Sequence, residues 1–586
     1  MDRQWRSGIV VGLVGTVIAA MPAACTRRAA TPADLLLVNG NVYTLSWDDP
    51  RPDGTPAANA PHGPTGWKGD ADAVAIGGSR VLFVGSTRDA QQYRGDRTRA
   101  IDLRGATVVP GLVDAHVHIV ELGRSLERVN LVGVGSEAEA VEKVAARAAS
   151  VPKGDWVVGY GWDDGAWANR YPDMRLLSER TPDHPVYLRG LHGYAVWGNR
   201  LAFEKAGITA KTPSPSGGEI RKDDRGRPTG ILVNEAVRLL ERAIPPPTDD
   251  QIKAQIVTGL EAMARAGYVA VHEAGVDTRT LGAFEELAAA RQLPLRVYAM
   301  LSGRDHELLR TWLARGPDNA SDAMLTTRSV KVFFDGALGS RGARLLADYS
   351  DRPSYRGNAQ PETGFDPKLV AETMKAGFQV SIHAIGDAAN REALDFIEQV
   401  EAASPETRRF RHRIEHAQVM HPDDFGRFSN DDVIASMQPP HAVEDKGWAE
   451  ARVGPERVKY AYAWRSMRQA GARLVFSSDL PGSGYDIFYG LHSAVTRQDL
   501  QGQPPGGWHA DERVGPEEAL RGYTTWAAYT AFLERETGVL APGRWADITV
   551  MNIDPLATGE KNPGRLLDGR IAWTIVGGRV AYERGR

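Results

Sequence analysis

Val109-Pro110-Gly111-Leu112-Val113-Asp114-Ala115-His116-Val117-His118 is the stretch on which the fold turns. Its apolar residues read as a short strand. Strand side chains alternate faces with a period of two, so His116 and His118 leave on the same side. At the C-terminal end of a parallel barrel strand, that side opens on the mouth, where such barrels keep their chemistry. Two imidazoles there make half of a metal site. An isolated His-x-His pair carries little weight, so the rest of the chain must supply both the barrel and the other ligands.

Downstream, short apolar runs recur at Val186-Tyr187-Leu188, Val269-Ala270-Val271, Leu295-Arg296-Val297-Tyr298, Val330-Lys331-Val332-Phe333-Phe334, Val380-Ser381-Ile382, Val433-Ile434-Ala435-Ser436 and Leu474-Val475-Phe476. Helical stretches separate them, among them Glu137–Ala149, Gln251–Ala266, Leu369–Ala376 and Arg391–Val400. Strands alternating with helices predict an α/β fold with a parallel sheet, and this many units predict a closed (β/α)8 TIM-like barrel over residues 110–537. Residues 150–245, rich in Trp, Pro and Gly, read as an insertion over its mouth.

Upstream, Leu35–Thr44 reads as strand, Asn-Gly turn, strand, and Ala73–Gly85 as a second hairpin, with residues 48–70 a loop between them. The far end repeats the pattern in Gly543–Met551 and in Ile571–Tyr582, the latter around Gly577-Gly578. Neither end is long enough to bury a core alone. Residues 33–109 and 538–586 are therefore expected to form one small β-sandwich domain together, and barrel plus sandwich fill a chain of 586 residues.

The formal net charge is −4, with acids and bases interspersed, so no basic stripe supports nucleic-acid binding. The expected partner is a small-molecule substrate, and a homodimer stays open. Residues 1–25 form a separate unit: two arginines within Asp2–Arg6, an apolar run over Ser7–Met21, then Pro22-Ala23-Ala24-Cys25. That order predicts a signal peptide and an exported, periplasmic protein. Cys25 stands where a bacterial lipoprotein is acylated, so a lipid anchor is one expectation; Pro22 departs from the usual aliphatic, and plain cleavage is the other. As the one cysteine, Cys25 excludes an intrachain disulfide.

Further ligand-type residues end predicted strands: His383 after Ser381-Ile382, His416 in Arg413-Ile414-Glu415-His416, and Asp479 after Ser477-Ser478. Singly, each His reads as a hydrogen-bonded interior residue and Asp479 as a helix cap; together they complete a site with His116 and His118. His272 and Glu273, in Val271–Gly275, end another strand, as metal ligands or as supports behind them.

The segments PGLVDAHVH (110–118), GYGWDDGAW (159–167), KVFFDGALGSR (331–341), SIHAIGD (381–387), RIEHAQ (413–418), SSDLP (477–481) and GVLAPGRWADITV (538–550) resemble, as a set, amidohydrolase family 3 of the amidohydrolase superfamily, a group that includes N-substituted formamide deformylase. The resemblance implies a barrel with a sandwich from both termini, and His116, His118, His383, His416 and Asp479 as metal-site residues. It also implies that Lys331, carboxylated by CO₂, bridges two cations; the alternative is a salt bridge with Asp335 and one cation. Imidazoles suit zinc foremost, and a mixed His/carboxylate set also admits Mn, Fe or Co. The expected reaction is hydrolysis of a non-peptide carbon–nitrogen bond, such as an N-acyl or N-formyl amide, by metal-activated hydroxide. His383 helps polarise the carbonyl and Asp479 shuttles the proton. A cyclic amidase, an aminohydrolase, an esterase or a non-catalytic exported binding protein are the alternatives.

The inserted segment offers Trp162, Trp167 and Trp197, for an apolar substrate or as the packing of a lid, and Asp163 and Asp164, for a polar group or as a solvated loop; outside it Arg341, after Lys331, reads as an anion site or as half of a structural ion pair. The family's Asp-Gly-His pattern is replaced by Leu191-His192-Gly193-Tyr194, which puts Tyr194 where a histidine is usual and His192 two residues earlier. His192 and Tyr194 are accordingly expected at the substrate, in an altered arrangement.

Overall fold

The computed structural model describes residues 31–585 except 164, 166, 168–170, 319–322 and 359–363. Residues 1–25, expected to direct export and ending at Cys25, and Asp164 lie outside the described residues. Eight strands stand side by side in chain order, every neighbouring pair parallel: β1 (Leu112–Val117), β2 (Tyr268–Val276), β3 (Arg296–Ser302), β4 (Leu325–Phe333), β5 (Gln379–Ala384), β6 (Arg413–His416), β7 (Ile434–Met437) and β8 (Arg473–Phe476). Their near-continuous burial matches a parallel sheet covered on both faces.

β8 does not ladder with β1, and the seam is closed by residues just beyond it. The Asp479 N–H donates to the His116 carbonyl at 3.0 Å, the His118 N–H to the Leu480 carbonyl at 3.1 Å, and the Ser478 N–H to Asp114 Oδ1 at 3.0 Å. At the other end of the seam the Val113 N–H reaches the Tyr523 carbonyl at 2.7 Å. The helix Thr525–Thr530 follows, and its Ala527 packs among Val113, Ala115, Ile434 and Val475 as a floor.

Around the barrel, the helix Asp249–Arg265 shows how local sequence sets an element. Thr248 accepts from the Gln251 N–H while the Gln251 side chain reaches back, a capping box that starts the helix. Ile252, Ile256, Leu260 and Met263 then recur at helical spacing and are buried. This helix meets Ile119–Glu127 closely because Gly123 lacks a Cβ; one built there would fall 2.0 Å from the Gln255 carbonyl oxygen.

Two sheets from the chain ends face each other. One holds Leu35–Val38, Ala73–Gly77, Arg80–Gly85 and Arg99–Asp102; the other holds Asn41–Val42, Thr107–Pro110, Ile548–Met551, Ile571–Val576 and Arg579–Glu583. Leu35, Leu37, Val74, Ile76, Val108, Ile548, Val550 and Ile575 fill the space between them. The sandwich grips the barrel directly: the Leu112 N–H at the start of β1 donates to Thr549 Oγ1, 437 residues away. The expected Leu35–Thr44 hairpin is corrected. Leu35–Val38 lies between Ala73–Gly77 and Arg99–Asp102, whereas Asn41–Val42 pairs with Thr107–Val108 in the opposite sheet. Asn39, at φ 56°, turns the chain between layers. The physical reason is that Leu35, Leu36 and Leu37 are all buried and so need cover on both faces, which a two-stranded hairpin lacks.

Between β1 and β2 the chain leaves the barrel to build a six-stranded sheet from Val129–Asn130 to Pro228–Asn234. Val186–Gly190 is one of its strands rather than a barrel strand, and the helix Glu137–Ala148 packs on it through Ala140, Val141 and Val144. Among the described residues no helix is long and apolar enough to cross a membrane.

Candidate metal centre and active site

The tips of β1, β5 and β6 and the turn after β8 converge. His118 Nε2 lies 3.3 Å and His116 Nε2 3.6 Å from Asp479 Oδ1. The His416 ring stands 5.2 Å from that of His116 and 4.5 Å from that of His383. Lys331 Nζ, on β4, is 3.2 Å from His116 Nε2. His441, which strand-end reasoning passed over, sits with its Nε2 3.7 Å from Asp479 Oδ2. His116, His118 and Asp479 form one group whose ligand atoms all lie within 4.8 Å of one another, and His416, His441 and Asp479 form another.

Hydrogen bonds behind these side chains fix which nitrogen faces the site. His116 Nδ1 donates to Glu415 Oε2 at 2.6 Å, and His416 Nδ1 donates to Gln438 Oε1 at 2.9 Å, which turns each Nε2 lone pair to the cavity side. Glu415 is held in turn by Arg413, both fully buried, and the Arg413 guanidinium also reaches the Ala115 carbonyl and Ser436 Oγ at 2.7 Å each. The backbone is bent where these side chains enter the site: His416, Ala417 and Asp479 take φ of 76°, 42° and 57°. Left-handed backbone at non-glycine residues costs on the order of 1–3 kcal/mol each and persists where the surroundings hold it.

Burial sets the charges. It holds His116 down at about 4, with Lys331 adding to the effect, holds His416 at about 3, and leaves His383 well below the usual imidazole range. All three are neutral at pH 7, the form that binds a cation. Burial alone would raise Asp479, yet its contact with His118 keeps the carboxylate well below the ordinary range. Burial lowers Lys331 to about 8. Burial works against protonation of His118, but the Asp479 carboxylate beside it outweighs that and raises its pKa. The neutral His116 and His416, each with its second nitrogen oriented, stand with His118 around an ionised carboxylate, a donor set that fits a divalent cation.

Lys331 makes no ion pair with Asp335, whose carboxylate instead accepts the N–H groups of Arg344, Ile385 and Gly386. Asp335 Oδ1 also lies 3.5 Å from His383 Nε2. Glu273 is buried, accepts the Ile119 N–H at 2.8 Å, and is pushed up to about 8 by burial; it supports the turn that carries His118. His272 lies deeper, its Nδ1 3.2 Å from the Arg413 guanidinium and its ring against Tyr298.

A cavity of about 380 Å³ opens over the cluster, walled by Phe333, Leu338, Ile385 and Trp448 with Gln418, Glu444, Asp445 and Ser483. Among the described residues, none of those expected at the substrate from the insertion, nor Arg341, lines it. Trp162 and Trp167 are buried in the core of the six-stranded sheet and donate to the carbonyls of Leu188 and Val134. Trp197 is buried there too, stacked edge-on against Trp167. His192 is exposed, 3.8 Å from Asp163, with Tyr194 stacked beside it. Arg341 is clamped by Asp351 at 2.8 Å. These substrate-binding expectations are corrected: aromatic density marked a core, and the cavity's tryptophan is Trp448, from the helical segment after β7. Accordingly Trp162→Ala is expected to cost ~3–5 kcal/mol of stability while leaving KM unchanged, checked by urea unfolding and steady-state kinetics.

A parallel barrel whose mouth gathers neutral imidazoles around a carboxylate defines a metal-dependent hydrolase. The sequence pattern of the amidohydrolase family matches residues 99–582, and the chain belongs to that family, within amidohydrolase family 3. Protein LONG AFTER FAR-RED 3 of Arabidopsis thaliana is 31% identical, over 95% of this chain and 93% of its own. An N-substituted formamide deformylase of Arthrobacter pascens is 27% identical over 94% and 98%. Among solved structures, an uncharacterised metal-dependent hydrolase of Pyrococcus furiosus superposes with a TM-score of 0.68 at 29% identity, covering 89% of this chain and 99% of that one.

Proposed function

We propose that the chain hydrolyses the carbon–nitrogen bond of an N-acyl or N-formyl amine. The observation that carries this reading is the His116–His118–Asp479 group at the barrel mouth, under a cavity of small-molecule size. Similarity to a formamide deformylase supports the choice of bond. A divalent cation held by these residues supplies Lewis acidity and an acidified water. Asp479, ionised and beside His118, takes the proton of the attacking water and returns it to the departing nitrogen. His383, neutral and lining the cavity, donates to the carbonyl oxygen as it gains charge. Trp448 and Phe333 hold the apolar part of the substrate. Chelator-treated protein is expected to lose activity on an amide panel and to regain it with Zn, Mn or Co; cleavage of esters with no amide turned over would reject the bond assignment.

Lys331 belongs to the same proposal. Its amine donates to the His116 Nε2 lone pair that a cation needs, so amine and cation compete for one nitrogen. Carboxylation removes the conflict: Nζ bonds to the carbon of CO₂, loses a proton, and becomes an anionic acceptor. Protein equilibrated with ¹³C-labelled CO₂ is expected to show a carbamate carbon resonance that Lys331→Arg lacks; a spectrum without it rejects the modification. The reading also places the enzyme outside the cytoplasm, so the mature mass should begin at or just before Cys25, and a chain retaining Met1 would reject export.

A further inference from the structure

We propose that a cleft on the inserted sheet binds a small aromatic carboxylate, at a site separate from the metal centre. A cavity of about 530 Å³ is lined by residues of the strands Val157–Trp162 and Val186–Gly190 and of the helices Ile119–Glu127 and Asp249–Arg265. No residue borders both this cavity and the one at the barrel mouth.

Free donors and charge both point to an anion. Arg124 and Arg128, on and just after the first of those helices, border the cavity with Arg147, from the last turn of Glu137–Ala148. The guanidinium groups of Arg124 and Arg128 make no hydrogen bond or ion pair among the described residues, and that of Arg147 reaches only Ser150 Oγ, at 3.4 Å. Arg128 and Arg147 stand at helix C-termini, where the dipole favours a cation, but that attraction uses no guanidinium N–H. Their forked donors stay free for a carboxylate, which a guanidinium grips with two parallel bonds. The fourth arginine, Arg189, is engaged, 3.2 Å from Glu241 and bonded to the Gly193 carbonyl. Four arginines against Glu127, Asp155 and Glu241 leave one net positive charge, the complement of a monoanion rather than of a phosphate near its dianion.

The same cavity offers a ring and a hydrogen a place. Trp156 and Tyr160, the latter 39% exposed, supply aromatic surface. Gln255 is 5% exposed; its Nε2 donates to Glu127 at 2.9 Å, while its Oε1 is buried with no hydrogen-bond partner. A buried acceptor left unmet is uncommon in a folded protein, and here it fits an O–H or N–H of the bound molecule. The chemistry recognised is therefore a ring, one carboxylate and one donor.

The test is calorimetric titration of the full chain with para-hydroxyphenylacetate, which carries all three features. One equivalent is expected to bind with a sub-millimolar Kd, equally before and after a chelator clears the barrel mouth. Tyrosol, which has an alcohol in place of the carboxylate, should bind at least tenfold more weakly. Arg128→Gln and Arg147→Gln should each weaken binding of the carboxylate at least tenfold, with unchanged circular dichroism. Binding that disappears with the chelator puts the anion on a metal and overturns the inference. Wild type that binds nothing, tyrosol held as tightly as the carboxylate, or both variants binding like wild type overturn it too. If a variant fails to fold, the comparison of tyrosol with the carboxylate on wild type still decides.

Discussion

Asp479→Asn is expected to lower kcat by about 10³-fold, within the range of a lost general acid–base group. Asparagine keeps the shape of aspartate, and it tolerates the left-handed backbone that residue 479 adopts at φ 57°, so the fold should survive the change. What disappears is the basic oxygen 3.3 Å from His118 Nε2. The amide cannot accept the proton of water, and the leaving nitrogen departs without one. Because the loss falls on the reacting state, kcat and kcat/KM should drop together with KM little moved. Steady-state kinetics with circular dichroism checks this, and a fall of less than tenfold would remove Asp479 from proton transfer.

Arg413→Met is expected to destabilise the barrel by ~3–5 kcal/mol, the cost of leaving one partner of a buried ion pair uncompensated. Glu415, fully buried, would keep only the His116 N–H as a partner, while Ser436, the Ala115 carbonyl and His272 each lose a donor. A second consequence runs through charge. With its guanidinium gone, Glu415 draws the proton of His116 more strongly and favours an imidazolium that binds no cation. Zinc affinity should fall ~10–100-fold, as for losses behind a ligand in other zinc sites. Arg413→Met with Glu415→Leu should recover most of the stability and none of the affinity, because His116 then has nothing to orient it. Urea unfolding read by tryptophan fluorescence and competitive zinc titration separate the two effects.

The barrel and half of the candidate site were legible because both are periodic. The two-residue repeat of His116 and His118, and the habit of functional residues to follow apolar runs, put His383, His416 and Asp479 at strand ends, where the structure has them. His441 obeys the same rule after β7, but Pro439-Pro440 separates it from the strand, and the run looked finished. Glu415 was hidden inside β6: its alternation with Arg413 marks an inward pair, yet a charged pair in a strand reads equally well as a solvated edge. The tryptophans misled because a lid and a packed core share one composition, and only tertiary contacts distinguish them. The Asn39-Gly40 corner failed as a hairpin for a related reason. Local turn chemistry was outweighed by the apolar cover that Leu35, Leu36 and Leu37 obtain between two sheets.

The bond from Leu112 to Thr549 ties ligand geometry to the order in which the polypeptide is made. The strand bearing His116, with His118 just past its end, is made early, but Thr549, which clamps its base, comes 437 residues later. Until then the base of the first strand lacks this bond. A nick near the C-terminus would act on the chemistry from afar, by slackening the first strand rather than by touching the mouth.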